Sequence, residues 1–184
     1  MYRRAALGFI SGLLSTVFFL DTLVWPSISF WIAIGGPGVF FGLFVLAWMV
    51  PKHASYRFAR RVVLVLTSWA SCAAAVLGMA FLGTRVLPDQ ATASLASVTV
   101  GAIVSGVAAV IVLLTTRLLA GGRLRLSSVM LAAGVGIVAG GLFCTGSLSD
   151  IHRSRVLGTL VIGATFVIWQ LGMAIVLERH LALH

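Results

Sequence analysis

Few residues in this 184-residue chain can do chemistry, and the densest group lies in one short stretch. Asp150, His152, Arg153 and Arg155 bring together an acid, a base and two guanidinium groups. Such a set could transfer protons and hold an anionic group, which is what hydrolysis or group transfer on a lipid needs. It also needs a second element opposite, and Asp21 and Asp89 are the only acids expected on the same side. No HExxH, GxSxG or phosphate-cradling glycine motif occurs. Glu178, His180 and His184 place two histidines four apart, but two ligands near a terminus do not make a metal site. No catalytic residue, metal or cofactor is assigned, and the balance leans against an enzyme.

A second group has the spacing of a binding site. Gly35-Gly36-Pro37-Gly38 interrupts an otherwise apolar run. Proline removes a backbone donor and glycine adds freedom, so a kink or a short unwound break is expected there. Freed carbonyls and amides must be satisfied by protein, water or ligand. Gln170, beside Trp169, is the most conspicuous polar residue within an apolar segment, and Thr159, Gly163 and Phe166 share its helical face. Ser11 and Ser15 share a face of the first segment, and Thr67, Ser68 and Ser71 lie along the third. Interhelical hydrogen bonding accounts for all of these at about 0.6 kcal/mol each. Asp21 is the one acid close to an apolar span, at interfacial depth. Gly35, Gly36, Pro37, Gly38, Gln170 and Asp21 are therefore the candidate substrate-binding residues. Asp150, His152, Arg153 and Arg155 are the outer-loop candidates.

The elements that must position them follow from composition. The chain is 60% hydrophobic and 9% charged, with mean hydropathy +1.13. A soluble domain carries about 25% charged residues, so most of this surface must face lipid. Six apolar segments, about 5–24, 28–50, 62–83, 94–116, 127–146 and 156–177, are each long enough to cross about 30 Å of hydrocarbon. The fold expected is an all-α integral membrane protein, a compact bundle of six transmembrane helices forming a single domain over residues 1–184. The run Ile28–Val50 has no charge and ends in the basic loop Pro51–Arg61. With the N-terminus inside, Arg3, Arg4, Lys52, Arg57, Arg60, Arg61, Arg117, Arg123, Arg125 and Arg179 are all internal. Only Arg85, Arg153 and Arg155 are external. The positive-inside bias therefore predicts cytoplasmic N- and C-termini. The membrane expected is a bacterial inner (cytoplasmic) membrane.

The net charge of +9 does not indicate nucleic acid, because the basic residues form short clusters between apolar spans rather than a stripe. Anionic lipids at the cytoplasmic basic loops are the partners expected. Small-residue pairs such as Gly8/Gly12, Gly38/Gly42 and Gly136/Gly140 allow close helix packing within the chain, in a homodimer or in a larger membrane complex. Cys72 and Cys144 fall at different heights in apolar spans and are expected to stay unpaired. The leading functional reading is a small-solute transporter or membrane substrate-binding subunit. The alternative is a non-catalytic subunit scaffolding a larger complex, and the third is a lipid-modifying enzyme using the 147–155 loop.

Overall fold

Length and apolarity leave these segments one way to satisfy their backbone groups away from water, the α-helix. The computed structural model describes residues 2–24, 30–51, 54–85, 90–121, 124–152 and 155–180. Six α-helices follow in order: α1 (Tyr2–Val24), α2 (Phe30–Phe44), α3 (Arg57–Arg85), α4 (Gln90–Ala120), α5 (Leu126–His152) and α6 (Arg155–His180). A 3-10 turn, Leu46–Trp48, extends α2. Among the described residues there is no strand. Among the described residues, four helices contain segments long and apolar enough to cross a membrane: Arg57–Gly78, Ala96–Ala120, Leu126–Thr145 and Leu160–Arg179.

Each helix packs chiefly on its neighbours in sequence, and α6 returns to close against α1, making a ring. Close approaches set the directions. Gly8 meets Ala174 while Gly12 meets Val167, so α1 and α6 run antiparallel. Gly42 faces Val65 and Gly38 faces Ser68 across α2 and α3. Gly136 lies on the Ser105 carbonyl and Gly140 on the Gly101 carbonyl across α5 and α4. The small-residue pairs expected to mediate close packing are thus consumed inside the chain. The antiparallel ring gathers Arg3, Arg4, Arg57, Arg60, Arg61, Arg117, Arg125 and Arg179 at one end. There the Arg60 side chain donates to the Leu119 carbonyl at 3.1 Å, tying the start of α3 to the end of α4.

The core is asymmetric along the ring axis. Phe41, Val45, Leu46, Met49, Leu64, Val112, Leu113, Ala132, Met173 and Leu177 form one buried cluster, and all belong to the basic half of the bundle. The outward surface is apolar on every helix, with Val17, Leu43, Leu66, Ile103, Met130 and Leu160 among the exposed side chains. Neither cysteine forms a disulfide.

Two expected loops are corrected, and of the kink or short unwound break expected at Gly35–Gly38 the unwound break does not occur, because regular α-helix continues through it with Pro37 inside. The break comes later, where α2 gives way to the 3-10 turn at Leu46. Arg57–Arg61 is not loop but the first turns of α3, and Ser147–His152 is not loop but the last turns of α5. Charge marks where side chains reach water, whereas the backbone ladder stops only where a breaker interrupts it, and neither stretch contains Pro or Gly.

Gly136 and Gly134 supply a matched test. A methyl at Gly136 falls on the Ser105 backbone, whereas one at Gly134 meets nothing within 4 Å. Gly136→Ala is expected to lower stability by about 1–3 kcal/mol, the usual cost of overpacking. Gly134→Ala should be neutral or stabilising by up to about 1 kcal/mol. Denaturant unfolding in mixed micelles reads both.

Candidate functional site

The most polar point inside the bundle is built by three helices. Gln170 on α6 is fully buried. Its Nε2 donates to Ser15 Oγ on α1 at 2.6 Å and to the Pro37 carbonyl on α2 at 3.0 Å. The Ser11 hydroxyl, one turn from Ser15, donates to Gln170 Oε1. Ser15 Oγ also lies 3.4 Å from the Pro37 carbonyl. Both amide hydrogens and one lone pair of the carboxamide are therefore engaged. The approach depends on small residues nearby, because Gly8 sits against the Gln170 carbonyl and Gly12 against the Phe166 carbonyl. One turn further along, Thr16 Oγ1 reaches the Gly163 carbonyl at 3.0 Å.

Beside this knot lies a cavity of about 60 Å³ on the ring axis. One water needs roughly 10–15 Å³ on this measure, so the space suits a few waters or one small solute. Five helices line it: Pro37 from α2, Ser71, Cys72 and Ala75 from α3, Ser105 and Ala108 from α4, Ala139, Gly140 and Phe143 from α5, and Thr165, Phe166, Trp169 and Gln170 from α6. Its polar groups are hydroxyls, a thiol and an amide, and no lining residue carries a charge. The Cys72 thiol donates to the Ile34 carbonyl at 3.4 Å, and the Thr165 hydroxyl to the Val161 carbonyl at 2.9 Å. Towards the basic end, Phe41 and Trp169 meet at 5.0 Å between ring centroids and join the packed core. At the other end Phe166 contacts Phe19 at 5.4 Å and Phe143 at 6.2 Å.

Of the residues expected to form a site, the structure joins Gln170 to Pro37 through a direct hydrogen bond. It adds Ser11 and Ser15 to the same knot. Gly38 packs on the Ser68 backbone, Gly35 receives the Trp69 indole, and Gly36 receives the Phe18 ring. Asp21 belongs to the last turn of α1, and its side chain lies outside the described residues. Asp150 and His152 belong to the end of α5 and Arg155 to the start of α6, with side chains also outside them, as is the whole of Arg153. Among the described residues no group of three His, Cys, Asp or Glu could hold a metal. Cys72, Ser105 and Thr165 were not assigned to the site from sequence. Their hydroxyl and thiol groups point to it only once the order of helices around the axis is known.

No protein-family model, curated protein or solved structure matches the chain. The site's chemistry is that of neutral hydrogen-bonding groups around a small space.

That chemistry ranks two substitutions. Gln170→Leu removes the bonds but leaves apolar volume, and is expected to cost about 1–2 kcal/mol, the upper range for hydrogen bonds between membrane helices. Gln170→Glu, protonated at this buried position, offers one donor hydrogen where Nε2 offers two, and should cost about 1–3 kcal/mol for the acceptor contact left unmade. Unfolding in mixed micelles near neutral pH compares them.

Proposed function

We propose that the chain is a six-span membrane protein, both termini cytoplasmic, whose axial cavity binds a small uncharged solute for passage across the bilayer. The cavity carries this reading. It is central, lined by five helices, furnished with neutral hydrogen-bonding groups and free of charged ones. Ions and strongly charged metabolites are poor candidates, because nothing along the lining offsets their desolvation. The packed cluster on the basic side closes the cavity towards the cytoplasm in this conformation. A solute site half-way through the bundle and sealed on one side suits alternating access, or delivery to a partner subunit.

Two observations support all six helices as spans. Helix α1 has 23 residues, about 34 Å at 1.5 Å per residue, and exposes Phe9, Leu13 and Val17. Helix α2 is short at 15 residues, but the 3-10 turn prolongs it to Trp48. The gathering of basic residues at one end supports the orientation.

A second reading, a subunit docked into a larger complex, is favoured by one feature. An outer groove between α3 and α4, lined by Ala74, Ile103, Val104, Val107 and Ile111, has a volume of about 200 Å³, enough for apolar side chains of a neighbouring helix.

Proteoliposomes test the transport reading by stopped-flow light scattering over a panel of small uncharged solutes such as glycerol and urea. At least one is expected to enter faster than into protein-free liposomes. Ala139→Leu, which fills the cavity, should cut that flux by about tenfold or more, equivalent to about 1.4 kcal/mol or more on the barrier to passage. Fluxes equal to those of empty liposomes for every solute count against solute passage. A cytoplasm-dependent reporter fused after His184 should be active, and an inactive one would reverse the orientation.

A further inference from the structure

The axial cavity and the outer groove share a wall. Ser71 and Ala75 of α3 and Ala108 of α4 line both spaces. The partition is therefore one residue thick, and its side chains are two methyls and a hydroxymethyl. All three residues are buried. The seam between α3 and α4 is also held differently from those beside it. Gly42 of α2 lies against the Val65 backbone of α3, and Gly136 and Gly140 of α5 lie against carbonyls of α4. At the α3–α4 seam the atoms nearest to Gly78 all belong to the Val104 side chain. A side chain can turn about its bonds, whereas two backbones in contact do not yield. Arg60 pins α3 to α4 at the basic end, about three turns of helix from Ser71.

Polarity changes across the partition. On the outer side the groove is bordered by Ala74, Ile103, Val104, Val107 and Ile111, all apolar. On the axial side stand Cys72, Ser105 and Thr165. Ser71 and Ser105 are buried, and among the described residues neither makes a hydrogen bond. Each hydroxyl therefore holds a donor and an acceptor in reserve, at a depth where an unmade bond costs free energy. We infer that the cavity is loaded sideways, from the bilayer through the α3–α4 groove, by a small neutral amphiphile whose one hydrogen-bonding group pairs with Ser71 and Ser105. The apolar part of such a molecule already favours lipid and passes the groove without losing hydration. Its polar group finds partners at the partition and beyond it. A charged solute has no such route, because the groove offers nothing to offset its desolvation. Loading from the side also avoids the packed cluster at the basic end.

This inference rests on the solute-binding reading, and its test separates the two. Cys72 lines the cavity but not the groove, and Cys144 lines neither, so the native thiols serve as reporter and control. The full chain in liposomes is treated with methyl methanethiosulfonate, which is small and neutral, or with its charged sulfonatoethyl analogue. In both reactions the cysteine sulfur bonds to the sulfenyl sulfur, methanesulfinate leaves and the thiol proton passes to solvent. Peptide mass spectrometry follows each cysteine with time, and rates are scaled to those with free cysteine. The neutral reagent is expected to modify Cys72 about a hundredfold faster than the charged one, the penalty for a charge at bilayer depth. Ala74→Trp fills the groove outside the partition. It should slow the neutral reagent at Cys72 by about tenfold or more and leave Cys144 unchanged. Val107→Trp, on the opposite wall, should do the same, and it replaces Ala74→Trp if that variant does not fold. Equal rates for the two reagents overturn lateral loading and leave the solute site standing. A Cys72 rate that the groove variants do not change has the same consequence. A Cys72 that resists the neutral reagent in liposomes but reacts after denaturation overturns lateral loading together with solute binding in the cavity.

Discussion

A carboxamide shut away from water must find its partners in protein, and Gln170 finds them on two other helices. In hydrocarbon no solvent can fill a missing bond, so this requirement fixes how α6 meets α1 and α2. Ser11 and Ser15 must stand on the α6-facing side of α1, which orients that helix about its axis. The Pro37 carbonyl must face the same point, which orients α2. Gly8 and Gly12 let the backbones approach closely enough for short serine side chains to reach. The contact between first and last helices is the one that turns a row of six helices into a ring. The cavity itself is walled by α2 to α6, and the Gln170–Pro37 bond joins the two ends of that wall.

The ring then divides along its axis. Towards the basic end, leucine, methionine and phenylalanine side chains fill the centre. Beyond Gln170, small residues such as Ala75, Ala108, Ala139 and Gly140 face inward and leave space. Volume decides the difference, because facing alanines and glycines cannot fill an axis surrounded by six helices. Charge follows the same division, with arginines around the solid end and neutral groups around the hollow. The bundle is thus solid at its basic end and hollow further along.

Much of this was legible in the sequence because membrane constraints act locally. Uncharged runs mark helices, basic clusters mark one end, and four-residue spacing of glycines marks close-packed faces. Gln170 and Pro37 each stood out alone, as a polar side chain and a helix breaker in apolar surroundings. Their pairing was not legible, because residues 133 positions apart meet only if α6 closes on α1. Nor was the fate of Pro37. Proline weakens a helix locally, but packing against Ser68, Trp69 and Phe18 keeps α2 regular through Gly38. Helix ends were misplaced at Arg57–Arg61 and Ser147–His152 for a related reason, since a helix can continue beyond the hydrocarbon that hydropathy detects. Cys72 read as a packing residue because nothing in its own segment shows that it borders a cavity shared by five helices.

The central claim is that Gln170 couples α1 to α6, and a double-mutant cycle tests it most directly. Ser15→Ala, Gln170→Leu and the double variant are unfolded by denaturant in mixed micelles beside the parent chain. The account predicts non-additive losses, with a coupling energy of about 0.6–1.7 kcal/mol, the range measured for hydrogen bonds between membrane helices. Additive losses, with no coupling beyond error, would mean that the two side chains do not bond and that the ring is closed by something else.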